Sequence, residues 1–151
     1  MKETQRIASL FEELYDGTPW IDVSIAVTLK KITAEEAAAK VLPNRNSIWE
    51  ITNHLINWRE HALARLQGKK VKHPETNYFS PATNTSAAEW KLTQKIFKNS
   101  QRKWILFLKK FKSADLGKKY PYGKQTYYRL ILGIIQHDVY HLGQIVLLSK
   151  K

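Results

Sequence analysis

Two histidines, His137 and His141, stand four residues apart within Ile134-Ile135-Gln136-His137-Asp138-Val139-Tyr140-His141-Leu142-Gly143-Gln144-Ile145. In a helix that spacing projects both imidazoles from one face. Leu130, Ile134, His137, His141, Gln144 and Leu148 follow a 4, 3, 4, 3, 4 spacing, which reads as the inward seam of a packed helix with the histidines on its middle rungs. Polar rings placed there need partners. The simplest partner for two convergent neutral imidazoles is a divalent transition metal whose remaining ligand comes from another helix.

A second segment, Ile48-Trp49-Glu50-Ile51-Thr52-Asn53-His54-Leu55-Ile56-Asn57-Trp58-Arg59-Glu60-His61, offers that ligand. His54 and His61 are seven apart and share similar faces. His54 is the better candidate, because it lies mid-helix between Ile51, Leu55 and Trp58, whereas His61 is two turns nearer the solvent. Three imidazoles from two helices would leave one to three coordination positions open, the arrangement that catalytic sites use to lower the pKa of a bound thiol or water. The chain has no cysteine, so metal ligands must be nitrogen or oxygen and any reacting thiol must arrive with the substrate. No catalytic nucleophile of the chain's own is evident.

Neighbouring residues are assigned lesser parts. Asp138 points about 100° away from His137 on the helix and reads as a surface acid or an outer partner rather than a ligand. Glu50 either orients the His54 ring or belongs to a capping box. Gln144 lines the site or bonds across the bundle, and Trp58 borders it, one turn from His54. The other tryptophans read mainly as packing, Tyr127, Tyr128 and Tyr140 could donate a proton or line a pocket but read first as packing, and His73, beside Pro74, reads as surface. His137 to His141 resembles the zincin H-E-x-x-H with Asp for Glu, but only ten residues follow and none supplies a third ligand, so a protease is set aside.

The elements that must position these residues read as all-α. An amphipathic pattern over residues 3 to 15 breaks at Gly17-Thr18-Pro19 and resumes from about Trp20 to Lys30. Thr33-Ala34-Glu35-Glu36 is a capping box for a short helix, and Ser47-Ile48-Trp49-Glu50 opens a long one that should run to Gln67 with Gly68 as its cap. Residues 68 to 85 carry Pro74, Pro81, Asn77 and Asn84, a connection long enough to cross a bundle end to end. Ser86-Ala87-Ala88-Glu89 starts a third long helix, and Thr126 caps the last, which should reach about Leu148.

At 151 residues and 43% hydrophobic content the chain suits one domain, residues 1–151, with one core. Its net charge of +12 raises the question of nucleic acid, but the lysines are scattered over helix ends and loops, and Lys outnumbers Arg where base readout favours Arg. No specific nucleic-acid partner is therefore expected. The start of the chain leads straight into an amphipathic helix, and no apolar run approaches the ~18 residues of a membrane span, so a cytoplasmic protein without a membrane partner is expected. The surface loops at 17 to 22 and 69 to 85 are expected to shape the pocket.

The segments Ile48-Trp49-Glu50-Ile51-Thr52-Asn53-His54-Leu55, with Trp58 following, and His137-Asp138-Val139-Tyr140-His141-Leu142-Gly143-Gln144-Ile145, with Trp20 after Pro19 and the Leu29 to Ala37 stretch, resemble the DinB/YfiT-like family over nearly the whole chain. The resemblance implies a four-helix bundle with a long crossover between the second and third long helices. It implies a homodimer, and one divalent metal, nickel or zinc with iron as a further option, held by His54, His137 and His141. It also implies thiol-dependent S-transfer with a low-molecular-weight thiol, or hydrolysis of a small molecule. The alternative is a non-catalytic metal- or ligand-binding stress-response bundle.

Overall fold

The computed structural model describes residues 1–150 as six α-helices and a 3-10 turn: α1 (Glu3–Asp16), α2 (Ile25–Lys30), α3 (Ala34–Ala38), α4 (Ile48–Leu66), α5 (Ala87–Lys110), the 3-10 turn Ser113–Asp115, and α6 (Tyr127–Ser149). Among the described residues there is no strand, and one isolated antiparallel bridge joins Lys119 to Thr126. Helices α1, α4, α5 and α6 make an all-α bundle. The 20 residues between Leu66 and Ala87 form the long crossover.

Capping chemistry sets most of the boundaries. The Thr33 and Ser47 side chains accept from the backbone N–H of Glu36 and Glu50, and both glutamates reach back to the cap, completing the two boxes. At Ser86 only half a box forms. Its hydroxyl accepts from Glu89, but its own N–H is taken by Asn84 Oδ1. Helix α4 ends at Gln67, and Gly68 follows with φ +85°, a left-handed conformation that glycine adopts without strain. The pattern expected to resume at Trp20 instead begins as helix at Ile25. Trp20 stands in the preceding turn and is 95% exposed, so it is not a packing tryptophan.

Helix α4 packs against both α5 and α6, and α1 packs on α5. Trp49 Nε1 donates to Thr93 Oγ1 at 3.0 Å, and Trp90 Nε1 donates to the Ile32 carbonyl at 2.7 Å, which ties the short helices α2 and α3 to the bundle. The core has two parts. One gathers Leu29, Leu55, Trp90, Phe97 and Ile145, and the other Phe11, Ala62, Trp104, Leu108 and Ile131.

Helix α6 is long and apolar enough, by length and composition, to cross a membrane, although no single apolar run within it suggests so. In the bundle it packs against α4. Its buried positions are Leu130, Ile131, Ile134, Asp138, His141, Leu142, Ile145 and Leu148, so the expected seam holds at Leu130, Ile134, His141 and Leu148, but Asp138 rather than His137 is buried on the rung between. His137 therefore lies on the flank of the buried face, and Asp138 sits at its centre.

Candidate metal centre

Three imidazoles meet between α4 and α6. One ligand atom from each of His54, His137 and His141 lies within 4.8 Å of the others, and His54 Nε2 is 2.9 Å from His137 Nε2. Two nitrogens bound to one ion at about 2.0–2.1 Å would be roughly 2.9–3.4 Å apart, so the closest pair already has the separation a shared divalent ion requires. His54 and His141 are buried and His137 is half-buried.

Each ring is held from behind by something different. The His54 ring lies flat on Phe79, with centroids 3.7 Å apart and planes 9° from parallel. Phe79 is delivered by the crossover, which α4 grips at successive turns: Asn53 Nδ2 donates to the Ser80 carbonyl at 3.0 Å, and Asn57 Nδ2 to the Tyr78 carbonyl at 3.1 Å. Asn77 and Tyr78 are both left-handed, at φ +49° and +64°. That conformation costs a tyrosine roughly 1–3 kcal/mol, and the turn buries the Tyr78 side chain while presenting Phe79 to His54. His141 Nδ1 donates to Gln144 Oε1 at 2.7 Å, which leaves its Nε2 lone pair for the centre. Gln144 thus acts along its own helix rather than across the bundle. His137 has Trp58 at 5.5 Å, and its Nδ1 is buried without a hydrogen-bond partner.

Burial and mutual repulsion favour the neutral form of His54 and His141. Burial, then the neighbouring His137 and His141, push the His54 pKa down to about 3, against a smaller opposing pull from the Asn77 backbone. Burial likewise lowers His141, although its bond to Gln144 works the other way. Neutral imidazole is the form that binds a metal. The same shift has a stability consequence. Because the folded His54 pKa lies below the ordinary 6.5, the unfolded chain binds the extra proton more readily, so stability is fully present above pH 6.5 and is lost as pH falls toward 3. We expect the urea midpoint of the metal-free protein to fall between pH 7.5 and pH 5, and the fall to be smaller in His54→Leu. Equal pH dependence in the two proteins would show that His54 is not the group responsible.

The three histidines open onto a cavity of about 540 Å³. Ile51, Phe79 and Leu148 supply apolar wall, and Asn46, Asn77, Tyr140, Gln144 and Arg45 supply polar groups. Trp58 borders it, as expected, and so does Tyr140, whose expected role is packing. No residue from 17 to 22 lines it. The loop between α3 and α4, through Leu42, Arg45 and Asn46, takes that place beside the crossover.

The remaining candidates lie elsewhere. His61 Nδ1 pairs with the Asn57 carbonyl at 2.6 Å and its ring packs on Tyr78, so it belongs to the crossover clamp and not to the cluster. His73 is exposed, against Trp58 and Tyr78. Glu50 caps α4 and meets Lys40 at 2.5 Å, and it does not reach His54. Burial raises its pKa, but hydrogen bonds from Lys40 and Ser47 outweigh that and hold it below the usual carboxylate range.

Arg59 is the residue that sequence reasoning misses. It is 1% exposed and forms an ion pair with Asp138, also 1% exposed, which overturns the reading of Asp138 as a surface acid. A second guanidinium nitrogen bonds to Gln101 Oε1, and Gln101 donates onward to the Phe11 carbonyl at 3.0 Å. The signal is present in the spacing: Ile48, Thr52, Leu55, Arg59, Ala62 and Leu66 form the 4, 3, 4, 3, 4 buried seam of α4. A charge on such a seam requires a buried counter-charge.

The DinB superfamily sequence profile matches residues 24–145, which include all three histidines. The chain belongs to the DinB superfamily. No curated protein and no solved structure shows significant similarity to it. Membership together with the three-histidine cluster fits a metal-binding DinB-superfamily protein, and the bundle expected from the resemblance is the one observed.

Proposed function

We propose that this DinB-superfamily protein is a metal-dependent enzyme acting on a small molecule, with His54, His137 and His141 holding one nickel or zinc ion. The observation that carries the reading is the convergence of three imidazoles from two helices on the wall of a cavity large enough for a small molecule. An ion bound there supplies Lewis acidity that turns a thiol or water into a nucleophile at neutral pH.

The lining favours a thiol over water. It contains no Asp or Glu to serve as a general base toward water, whereas a free thiol, with a pKa of about 8.5 against about 15.7 for water, ionises with far less help. With no cysteine in the chain, that thiol is a substrate, and S-transfer from a low-molecular-weight thiol to an electrophile is the preferred reaction. Tyr140, Gln144 and Asn77 orient the polar parts of the substrates, and Phe79 and Leu148 exclude water from the floor. A homodimer through α6 is part of this reading. Tyr128 and Val139 are exposed on that helix away from the cavity, and between Leu130 and Ser149 its single acid is the buried Asp138.

The test begins with elemental mass spectrometry on protein purified without a metal-affinity tag. About one nickel or zinc per chain is expected, with turnover of an electrophile in the presence of a small thiol that is abolished in folded His141→Ala. Bound metal without turnover across a broad panel of thiols and electrophiles would favour the non-catalytic metal-binding bundle. Absence of metal, with none taken up on titration, would remove the reading altogether.

A further inference from the structure

Two buried polar atoms without partners lie near each other behind the cluster: His137 Nδ1, and Asp138 Oδ1 at 3.8 Å from it, too far for a hydrogen bond. A carboxylate oxygen only accepts, whereas a ring nitrogen donates or accepts according to its tautomer. With the hydrogen on Nδ1 the two atoms complement one another. With it on Nε2, two lone pairs would oppose each other in a site from which water is excluded.

Asp138 is not free to turn elsewhere. Its Oδ2 is engaged by Arg59, whose guanidinium is bonded to Gln101 and lies 5.7 Å and 5.3 Å from the centroids of the Phe11 and Phe97 rings. Holding α4 to α6 accounts for Oδ2 but leaves Oδ1 without a partner, 3.8 Å from His137 Nδ1. On the same helix, His141 Nδ1 already has an outer acceptor in Gln144.

We propose that Asp138, anchored by Arg59, is a positioning residue for His137: the charge on its Oδ1, 3.8 Å from Nδ1, favours the tautomer with the hydrogen on Nδ1 and keeps the Nε2 lone pair turned toward His54 and His141. The inference rests on the three-histidine metal reading for its purpose, since an outer carboxylate that fixes tautomer and ring orientation strengthens a metal ligand. The tautomer itself is a property of the metal-free protein.

The experiment compares wild type, Asp138→Asn, and the double variant Arg59→Met with Asp138→Leu. In Asp138→Asn the amide oxygen must face the donor-only Arg59, so the amide N–H faces His137 Nδ1 and selects the opposite tautomer. Ring-nitrogen NMR of the metal-free protein at mildly alkaline pH is expected to show His137 as Nδ1–H in wild type and Nε2–H in Asp138→Asn. Zinc affinity, measured against a chromophoric chelator, is expected to fall roughly 10- to 100-fold in Asp138→Asn. The double variant, which replaces the ion pair by apolar groups of similar volume and so keeps the fold, is expected to lose affinity similarly. An Nε2–H tautomer in wild type, no change of tautomer in Asp138→Asn, or zinc affinity within twofold of wild type in both variants would overturn the proposal and leave the pair a purely structural tie. A wild-type protein that binds no zinc or nickel would instead refute the metal reading, and the tautomer of His137 would still decide what Asp138 does.

Discussion

Arg59→Ala is expected to destabilise the protein by about 3–5 kcal/mol, the range for breaking a buried pair from one side. The pair is 1% exposed at both ends, so removal of Arg59 leaves the Asp138 carboxylate buried without its counter-charge and without water. Gln101 loses a partner in the same step, and the Phe11 and Phe97 rings lose the guanidinium that packs on them. Replacing both charges, as in Arg59→Met with Asp138→Leu, should recover most of that loss, because the desolvation of two ions is removed together with their attraction. Denaturant unfolding of wild type, the single variant and the double variant checks both statements. A single-variant cost below about 1 kcal/mol would mean that the pair is hydrated in solution, as exposed ion pairs are.

The second large effect is on metal affinity. Structural zinc sites with four ligands gain about 10–16 kcal/mol, or roughly 2.5–4 kcal/mol per ligand, so loss of one imidazole should weaken binding by about two to three powers of ten. His54→Ala is expected to show that loss. His61→Ala, seven residues along the same helix, is expected to bind as wild type does, because its ring is engaged with Asn57 and Tyr78 outside the cluster. Competition titration with zinc or nickel reads both variants, and circular dichroism confirms that each is folded. Equal affinities for His54→Ala and wild type would exclude His54 from the ligand set.

Elements that local chemistry dictates are legible in the amino-acid sequence. Ser47 and Thr33 with their glutamates, Gly68 after α4, and Thr126 before α6 specify helix ends through hydrogen bonds only three residues long, and the structure places the ends there. His137 and His141 share a face because helical geometry requires it of residues four apart, and His54 is favoured over His61 by its depth in an apolar segment. Sequence patterning misleads where the answer depends on the direction in which a helix faces. A line drawn through His137 and a line drawn through Asp138 differ by one residue, and both pass through apolar neighbours. The periodicity of α6 alone, apolar on nearly every side, does not choose between them.

Helical class, the long crossover and the three histidines can be read from the chain alone, because capping, periodicity and residue type act over a few residues. Tertiary structure decided the surroundings of those histidines. Phe79 reaches His54 because Asn53 and Asn57 hold crossover carbonyls that lie 27 and 21 residues further along the chain. Arg59 and Asp138, 79 positions apart, neutralise each other because α4 and α6 turn the same buried seam toward one another. The seam of α4 marks Arg59 as buried, but nothing within either segment names the partner. Long-range pairing is settled by the lowest free energy of the whole packed core, in which a buried charge is tolerable only where another helix brings its opposite.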